Sequence, residues 1–204
     1  MNITVIGLGF VGLTTSLGFS EIGHTVYGYD IDEKILKSLL EGKIPFHEPE
    51  LQEVLVKNQN QNFFITRDLN EAVKKSDVIY FCVGTPYGNS GEADLTHLNE
   101  AFEEVLIDYE ADIYRVFVIK STVPPNTLNK FIKPLIKNKG YQIGKNIGLA
   151  NNPEFLREGY AWSDFINADR VVIGVDDAIS GEILTALYSN LKAPLFLSNT
   201  ITAE

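Results

Sequence analysis

The feature that most constrains the fold of this chain is a glycine-rich turn near its start. The run Gly7-Leu8-Gly9-Phe10-Val11-Gly12 follows the apolar segment Asn2–Ile6 and opens a helical pattern. In such a strand–turn–helix unit, Gly7 permits a tight turn, Gly9 lets the backbone approach a pyrophosphate, and Gly12 allows the helix to pack closely on the strand. The free N–H groups and the dipole at the helix start favour phosphate. The pattern therefore predicts a βαβ unit with a dinucleotide at its turn.

Asp30 follows the next apolar segment, Thr25–Tyr29, where a dinucleotide-binding unit carries an acidic residue. Its carboxylate can accept hydrogen bonds from both ribose hydroxyls of an adenosine and would repel a 2′-phosphate. We therefore predict NAD as the cofactor, in preference to NADP. The alternative is a glycine turn kept only for packing, which is disfavoured because turn, helix and acidic residue occur in the required order.

Strand and helix patterns alternate along the whole chain. Residues 78–83 are continuously apolar, which is typical of a parallel strand buried on both faces. The alternation predicts an α/β fold, namely a Rossmann-like, doubly wound, mostly parallel sheet with helices on both faces. The predicted strands are 2–6, 25–29, 63–66, 78–83, 114–119, 147–150, 170–174 and 195–197, and the predicted helices are 10–22, 32–41, 48–58, 69–75, 96–108, 127–138 and 178–191.

The chain has 204 residues, which is enough to bury a core without a disulfide or a metal. No repeat, linker or low-complexity stretch divides it, so we expect a single NAD-binding domain over residues 1–204. The formal net charge of −10 argues against a nucleic-acid partner and against general affinity for anionic membranes, although it allows a local phosphate site. Because the apolar segments are short and the start does not resemble a signal peptide, we expect a cytoplasmic protein with no membrane partner.

Cys82 is the only cysteine of the sequence, and the histidines are scattered along it. This composition excludes a disulfide within the chain and indicates no metal site. Cys82 lies within an apolar segment, whereas a reactive thiol needs an electropositive and accessible environment. We therefore expect Cys82 to be a small core residue and not a nucleophile.

Longer motifs narrow the interpretation further. They are, in order, Gly42-Lys43-Ile44-Pro45-Phe46-His47-Glu48-Pro49-Glu50-Leu51, Cys82-Val83-Gly84-Thr85-Pro86, Lys120-Ser121-Thr122-Val123-Pro124-Pro125, Asn152-Pro153-Glu154-Phe155-Leu156-Arg157-Glu158-Gly159 and Asp169-Arg170-Val171-Val172-Ile173-Gly174. Together they resemble the UDP-glucose/GDP-mannose dehydrogenase family. The resemblance covers essentially the whole chain, but only the N-terminal, NAD-binding part of family members. It implies NAD-dependent oxidation of the C6 hydroxyl of a nucleotide sugar to a carboxylate, with UDP-glucose as the expected substrate.

Several motif residues follow predicted strands, at the edge where an open parallel sheet binds its ligand. Gly84 and Thr85 follow the fourth strand and Thr122 follows the fifth. Taken alone, the two threonines would as readily cap turns. By the resemblance, the cofactor-binding residues are Gly7, Gly9, Phe10, Val11, Gly12, Asp30, Lys34, Gly84, Thr85, Thr122 and Glu158.

The segment Glu154-Phe155-Leu156-Arg157-Glu158 carries the substrate contacts that the resemblance implies. Glu154 is expected to be catalytic together with Thr122, Glu158 to lie beside the nicotinamide, and the backbone around Phe155 and Leu156 to touch the sugar. The spacing of Glu154 and Glu158 would place both carboxylates on one face of a helical turn. Taken alone, they would be solvated surface charges with Arg157 as an ion-pair partner.

The sequence departs from the family pattern at several positions. Glu50 and Asn126 stand where the family usually has glycine. Asparagine tolerates a left-handed backbone, so we expect the turn at Asn126 to survive. Ile35 occupies the place of a family lysine near the adenosine ribose, and Lys34 is expected to reach the ribose by a different path.

The resemblance places a nucleophilic cysteine, a lysine and an asparagine of the family's active site beyond Glu204. We therefore expect the chain to bind NAD but to be inactive alone, and to be monomeric, although full-length relatives homodimerise. Two alternatives remain open. One is a freestanding NAD-binding module with a partner-dependent or regulatory role, and the other is a GDP-mannose dehydrogenase or another β-hydroxyacid-type dehydrogenase.

Overall fold

A single mixed sheet organises the molecule, for which the computed structural model describes residues 1–88 and 91–204. Helices alternate with the strands along most of the chain. The strands are β1 (Asn2–Ile6), β2 (Thr25–Tyr29), β3 (Phe63–Thr66), β4 (Val78–Phe81), β5 (Arg115–Ile119), β6 (Ile147–Asn151), β7 (Val171–Val175) and β8 (Leu195–Ser198). The helices are α1 (Phe10–Glu21), α2 (Glu33–Leu40), α3 (Leu51–Asn58), α4 (Leu69–Lys75), α5 (Thr96–Val105), α6 (Lys133–Asn138), α7 (Ala161–Ile166), α8 (Ala178–Leu187) and α9 (Thr200–Ala203).

The strand order β3-β2-β1-β4-β5-β6-β7-β8 reverses direction between β1 and β4. Val5 of β1 is paired with Gly28 of β2 on one side and with Tyr80 of β4 on the other. Neighbouring strands are parallel except for β6 and β7, which are antiparallel. The loops that follow β1, β4 and β5 therefore reach the same edge, beside the point where the order reverses. The predicted fold class is confirmed.

Helix α1 is buried along most of its length, because it lies between the sheet and the helices α3 and α7. The close approach of α7 requires a glycine in α1, since a β-carbon on Gly18 would lie 2.2 Å from the Phe165 ring. This packing fixes the direction in which the start of α1 points.

Proline and left-handed residues shift several predicted boundaries. Helix α3 begins at Leu51 and not at residue 48, because Pro49 disfavours a helical Glu48 and Glu50 has a φ of 66°. The helix predicted over 127–138 is divided into a π-helical turn, Leu128–Ile132, and α6. Pro134 has no N–H to donate to the preceding turn, which accounts for this division.

Other elements are shorter than predicted or were not predicted. Strand β4 ends at Phe81, because the chain leaves the sheet at Cys82 to pass over the glycine turn. Helices α5 and α8 end at Val105 and Leu187, before the limits that their apolar patterns indicated. The short helices α7 and α9 were missed. No helix in the described ranges has both the length and the apolar character that crossing a membrane requires.

Candidate functional site

The glycine turn after β1 is shaped by two close backbone approaches. Gly7 has a φ of 89°, and a β-carbon on it would lie 2.8 Å from the carbonyl oxygen of Cys82. A β-carbon on Gly12 would lie 1.8 Å from the carbonyl oxygen of Gly7. A β-carbon on Gly9, in contrast, would lie in open space, with no atom within 4 Å. Gly7 and Gly12 are therefore needed for the turn itself, whereas Gly9 leaves room for a ligand.

The start of α1 faces this open space. Gly9 is its N-cap and supplies no side-chain hydrogen bond to the first turn. The backbone N–H groups at Phe10 and Val11 and the positive end of the helix dipole lie at a cavity, an arrangement that suits the phosphates of a dinucleotide.

A cavity of about 360 Å³ lies between this turn and the end of β2, and we call it the Asp30 cavity. Its lining includes Gly9, Asp30, Ile31 and Ile35. Asp30 Oδ2 accepts a hydrogen bond from the Leu8 N–H at 2.6 Å, and Oδ1 accepts one from the Asp32 N–H at 2.8 Å. Each carboxylate oxygen has a second lone pair, so the pair can also accept from ribose hydroxyls.

Lys34 does not line the Asp30 cavity in the described structure, since it is exposed on α2 and its neighbour Ile35 faces inward. The expected contact between Lys34 and the adenosine ribose stays a prediction.

A second cavity, of about 290 Å³, continues from the first, and we call it the Thr122 cavity. The hydroxyl of Thr85 donates to the carbonyl oxygen of Thr122 at 2.7 Å, which ties the loop after β4 to the loop after β5. Thr122 is exposed, and its own hydroxyl has no partner among the described residues. The structure thus brings together the predicted residues Gly9, Phe10, Val11, Gly84, Thr85, Thr122 and Glu154.

A third cavity, of about 550 Å³, lies beyond the end of β6, and we call it the Arg157 cavity. It is lined by the predicted substrate residues Glu154, Phe155, Leu156 and Arg157, together with Arg170. The guanidinium of Arg170 lies 4.3 Å from the centre of the Phe155 ring, so the start of β7 supports this segment.

The segment 152–157 is irregular, so the prediction that Glu154 and Glu158 share the face of a helical turn is wrong. Glu154 Oε2 accepts from the Leu156 N–H at 2.6 Å, which bends the chain before a helical turn can form. Glu158 is exposed and lines neither the Thr122 cavity nor the Arg157 cavity. Arg157 pairs with Asp164 of α7, at 2.7 Å, and not with these glutamates. The hydrogen bonds from Arg157 lower the pKa of Asp164.

Sequence reasoning missed Lys120, a buried lysine at the junction of the Thr122 and Arg157 cavities. Its ammonium donates to Asn152 Oδ1 at 3.3 Å, and its other N–H groups have no partner within the described ranges. The hydroxyls of Tyr80 and Tyr188 donate to the same oxygen, at 3.3 Å and 2.6 Å. Burial lowers the pKa of Lys120. The available signal was a lysine directly after a strand buried on both faces.

Glu48 was also missed. Its buried carboxylate accepts from the N–H groups of Gly159, at 2.9 Å, and Trp162, at 3.5 Å. It therefore caps the start of α7 and, from a distant part of the chain, holds the backbone directly after residues 154–158.

Cys82 contacts the glycine turn, is half-buried, and lines both the Asp30 cavity and the Thr122 cavity. Desolvation raises the pKa of this thiol to about 12, so it stays protonated at neutral pH. No group of acidic, histidine or cysteine side chains in the described part of the chain is arranged to hold a metal ion.

The comparison with protein families agrees with this geometry. The model of the UDP-glucose/GDP-mannose dehydrogenase family, NAD binding domain, matches residues 1–192. The chain belongs to this family. The cofactor is NAD, and the residues fit it: open space at Gly9, acceptor oxygens on Asp30 and apolar walls in the Asp30 cavity.

Relatives and solved structures support the same family. The whole chain aligns at 39% identity with the UDP-glucose 6-dehydrogenase of Rickettsia bellii and covers 46% of that protein. It aligns at 41% identity with an uncharacterised protein of Methanocaldococcus jannaschii and covers 23% of it. The solved structure of GDP-mannose dehydrogenase from Pseudomonas aeruginosa superposes with a TM-score of 0.94 at 34% identity, over 100% of this chain and 47% of that one. The chain thus spans less than half the length of these relatives.

Proposed function

We propose that this chain is the NAD-binding domain of a nucleotide-sugar 6-dehydrogenase that oxidises UDP-glucose to UDP-glucuronate. The observation that carries the proposal is that Lys120 and Glu154 line both the Thr122 cavity and the Arg157 cavity. A cofactor in the first cavity and a sugar in the second would meet beside these two side chains. Residues 1–204 form one domain in this proposal.

The cofactor is proposed to cross the point where the strand order reverses. Its adenosine occupies the Asp30 cavity, its pyrophosphate lies at the start of α1, and its nicotinamide lies near Thr85 and Thr122. When bound, NAD accepts the hydride that leaves C6 of the sugar.

Glu154 and Thr122 are the proposed catalytic residues. One oxygen of Glu154 is held by the Leu156 N–H, and the other has no partner in the described structure, so it can accept a proton or hold a water. The free hydroxyl of Thr122 can orient a substrate oxygen at the same place. Phe155, Leu156 and Arg157 form the proposed sugar wall. The proposed place of Glu158 beside the nicotinamide rests on the resemblance alone, because Glu158 is exposed and lines none of the three cavities.

We propose that the chain alone binds NAD without oxidising UDP-glucose and is monomeric. The resemblance implies a nucleophilic cysteine, and a thiol with a pKa of about 12, such as that of Cys82, does not serve as one. The high structural similarity to a GDP-mannose dehydrogenase makes GDP-mannose the second candidate substrate.

Calorimetric titration of the purified chain tests the proposal. We expect saturable NAD binding, with NADP at least about tenfold weaker because its 2′-phosphate meets the Asp30 carboxylate. With NAD bound, ligand-detected NMR should show contacts to UDP-glucose that exceed those to GDP-mannose, without formation of NADH. Absence of NAD binding would refute the proposed function. Steady NADH formation would refute the inactivity, and a preference for GDP-mannose would select the second candidate.

A further inference from the structure

The carboxylate of Glu204 joins the end of α9 to the turn that follows Thr122. Its Oε2 accepts a hydrogen bond from the Asn126 N–H at 2.5 Å, and its Oε1 accepts one from the Leu128 N–H at 2.6 Å. Both N–H groups belong to the start of the helical segment that leads into α6, where backbone donors lack partners within the helix. Glu204 therefore acts as a cap delivered from a segment far away in the sequence.

Asn126 holds a left-handed backbone, with a φ of 73°. The expectation that the turn survives with asparagine in place of glycine is thus confirmed. Such a conformation costs a residue other than glycine about 1–2 kcal/mol, so it persists only where the surroundings hold it. The bond from the Asn126 N–H to Glu204 is one such restraint, and the bond from Asn129 Nδ2 to Asn126 Oδ1, at 2.9 Å, is another.

The segment that carries Glu204 is itself firmly anchored. Asp176, after β7, accepts from the Thr200 N–H at 3.1 Å and from the Thr200 hydroxyl at 2.8 Å. The same carboxylate pairs with Lys133 of α6 at 2.6 Å. Helix α9 also packs directly on β7, since a β-carbon on Gly174 would lie 2.5 Å from the β-carbon of Ala203. Glu204 is therefore presented from a fixed support, and α6 is tied to that support at a second point.

Thr122 and Asn126 are the two ends of one short turn stiffened by Pro124 and Pro125. Thr122 is held at its own end by the hydrogen bond from Thr85. We propose that Glu204 is a positioning residue for the nicotinamide half of the cofactor site, because it fixes Asn126 and thereby the path of the turn that carries Thr122. This inference rests on the proposed function, which places the nicotinamide in the Thr122 cavity.

The test compares two ligands on four proteins. NAD reaches both the Asp30 cavity and the Thr122 cavity in the proposed pose, whereas ADP-ribose lacks the nicotinamide that enters the second. The proteins are the wild type, Glu204→Gln, Glu204→Ala and the control Glu103→Gln, which removes an exposed carboxylate on α5. A glutamine retains one acceptor oxygen and alanine retains none, so a graded response is expected.

We expect NAD affinity to fall about threefold in Glu204→Gln and about tenfold in Glu204→Ala, with ADP-ribose affinity unchanged in both and no effect in the control. Amide hydrogen exchange at Asn126 and Leu128 should accelerate in the same order without ligand. Equal losses of affinity for both ligands, or an unchanged NAD affinity in the folded variants, would overturn the inference and leave the proposed function intact. If the wild type binds neither ligand, the proposed function is refuted, and the inference that rests on it is refuted as well. Because Glu204→Gln preserves shape, it keeps the test valid if the alanine variant unfolds.

Discussion

The carboxylate of Asp30 accepts a hydrogen bond from the Leu8 N–H at 2.6 Å, and this bond ties the end of β2 to the glycine turn after β1. The residue proposed to recognise the adenosine ribose therefore also helps to hold the turn proposed to receive the pyrophosphate. Asp30→Asn keeps one acceptor for Leu8 but removes the negative charge. We expect NAD affinity to fall about tenfold, because hydrogen bonds to a charged acceptor are the stronger ones.

In Asp30→Asn the affinity for NADP should rise relative to the affinity for NAD, because the 2′-phosphate of NADP no longer meets a carboxylate. Calorimetric titration of both cofactors measures the change in their affinity ratio. Asp32→Asn is the matched control, because Asp32 caps α2 through the Lys34 N–H and asparagine caps about equally well. A variant at Asp30 that keeps the NAD/NADP ratio of the wild type would contradict this role.

Gly9 and Gly12 should respond to alanine in opposite ways. Gly12→Ala forces a β-carbon against the carbonyl oxygen of Gly7, so we expect a loss of at least about 2 kcal/mol of unfolding free energy. The β-carbon that Gly9→Ala introduces has no atom within 4 Å, so the unfolding free energy should change by less than about 0.5 kcal/mol. NAD binding should be lost, because the new methyl group occupies the space proposed for the pyrophosphate. Urea denaturation and NAD titration of both variants separate the two effects, and retained NAD binding in Gly9→Ala would argue against phosphate at this turn.

The unfolding free energy should decrease in mild acid because of the buried His24. Its Nε2 lies 2.8 Å from the Leu187 carbonyl oxygen, and its Nδ1 lies 3.3 Å from the N-terminal amine. Burial lowers the pKa of His24 from the ordinary 6.5, with the Leu187 carbonyl opposing the shift and the N-terminal charge adding to it. The unfolded chain therefore binds a proton at a higher pH than the folded chain. The stability contributed by neutral His24 is complete above pH 6.5 and is lost as the pH falls from 6.5 towards the lowered pKa.

Urea denaturation of the wild type and of His24→Gln across this range checks the effect. The difference in unfolding free energy between the two proteins should shrink as the pH falls. A difference that stays constant with pH would show that His24 does not titrate in this way.

Glu50 offers a stabilising substitution. Its φ of 66° raises the conformational energy of a residue that has a β-carbon, whereas glycine adopts this φ without strain. Glu50→Gly should therefore stabilise the fold by about 0.5–1 kcal/mol. The same change at exposed Glu53, within α3, should destabilise by about 1 kcal/mol, because glycine is a poor helix former. Thermal denaturation of the wild type, Glu50→Gly and Glu53→Gly measures the two changes in stability, which should have opposite signs. A loss of stability in Glu50→Gly would contradict the prediction that glycine relieves strain at this position.

Local patterns were sufficient to predict the part of the site that adjacent residues build. The glycine turn, β1, β2 and α4 depend on apolar spacing, glycine and capping residues within one short window, and their bounds or positions follow from it. The positive φ of Asn126 was likewise predictable, because asparagine tolerates a left-handed backbone better than most residues do.

Contacts between distant segments account for what could not be predicted. Helix α7 begins where Glu48 caps it, and nothing near residue 161 signals that cap. The spacing of Glu154 and Glu158 suggested a helix, but a hydrogen bond to Leu156 and an ion pair between Arg157 and Asp164 compete with it. Lys120 follows a fully buried strand, which is a local signal, but the Asn152 oxygen that accepts from it lies after β6 and cannot be predicted from the residues near position 120.

The antiparallel direction of β7 has a consequence for how the two halves of the site can vary. The cofactor half is built from chain that has just left β1, β4 and β5, whereas Arg170 belongs to chain that is about to enter β7. Changes in residues 167–170 can thus reshape the far wall of the Arg157 cavity while the loops around the cofactor keep their course. In the proposed function, the sheet therefore separates the part that holds the cofactor from a part that can change with the sugar beside it.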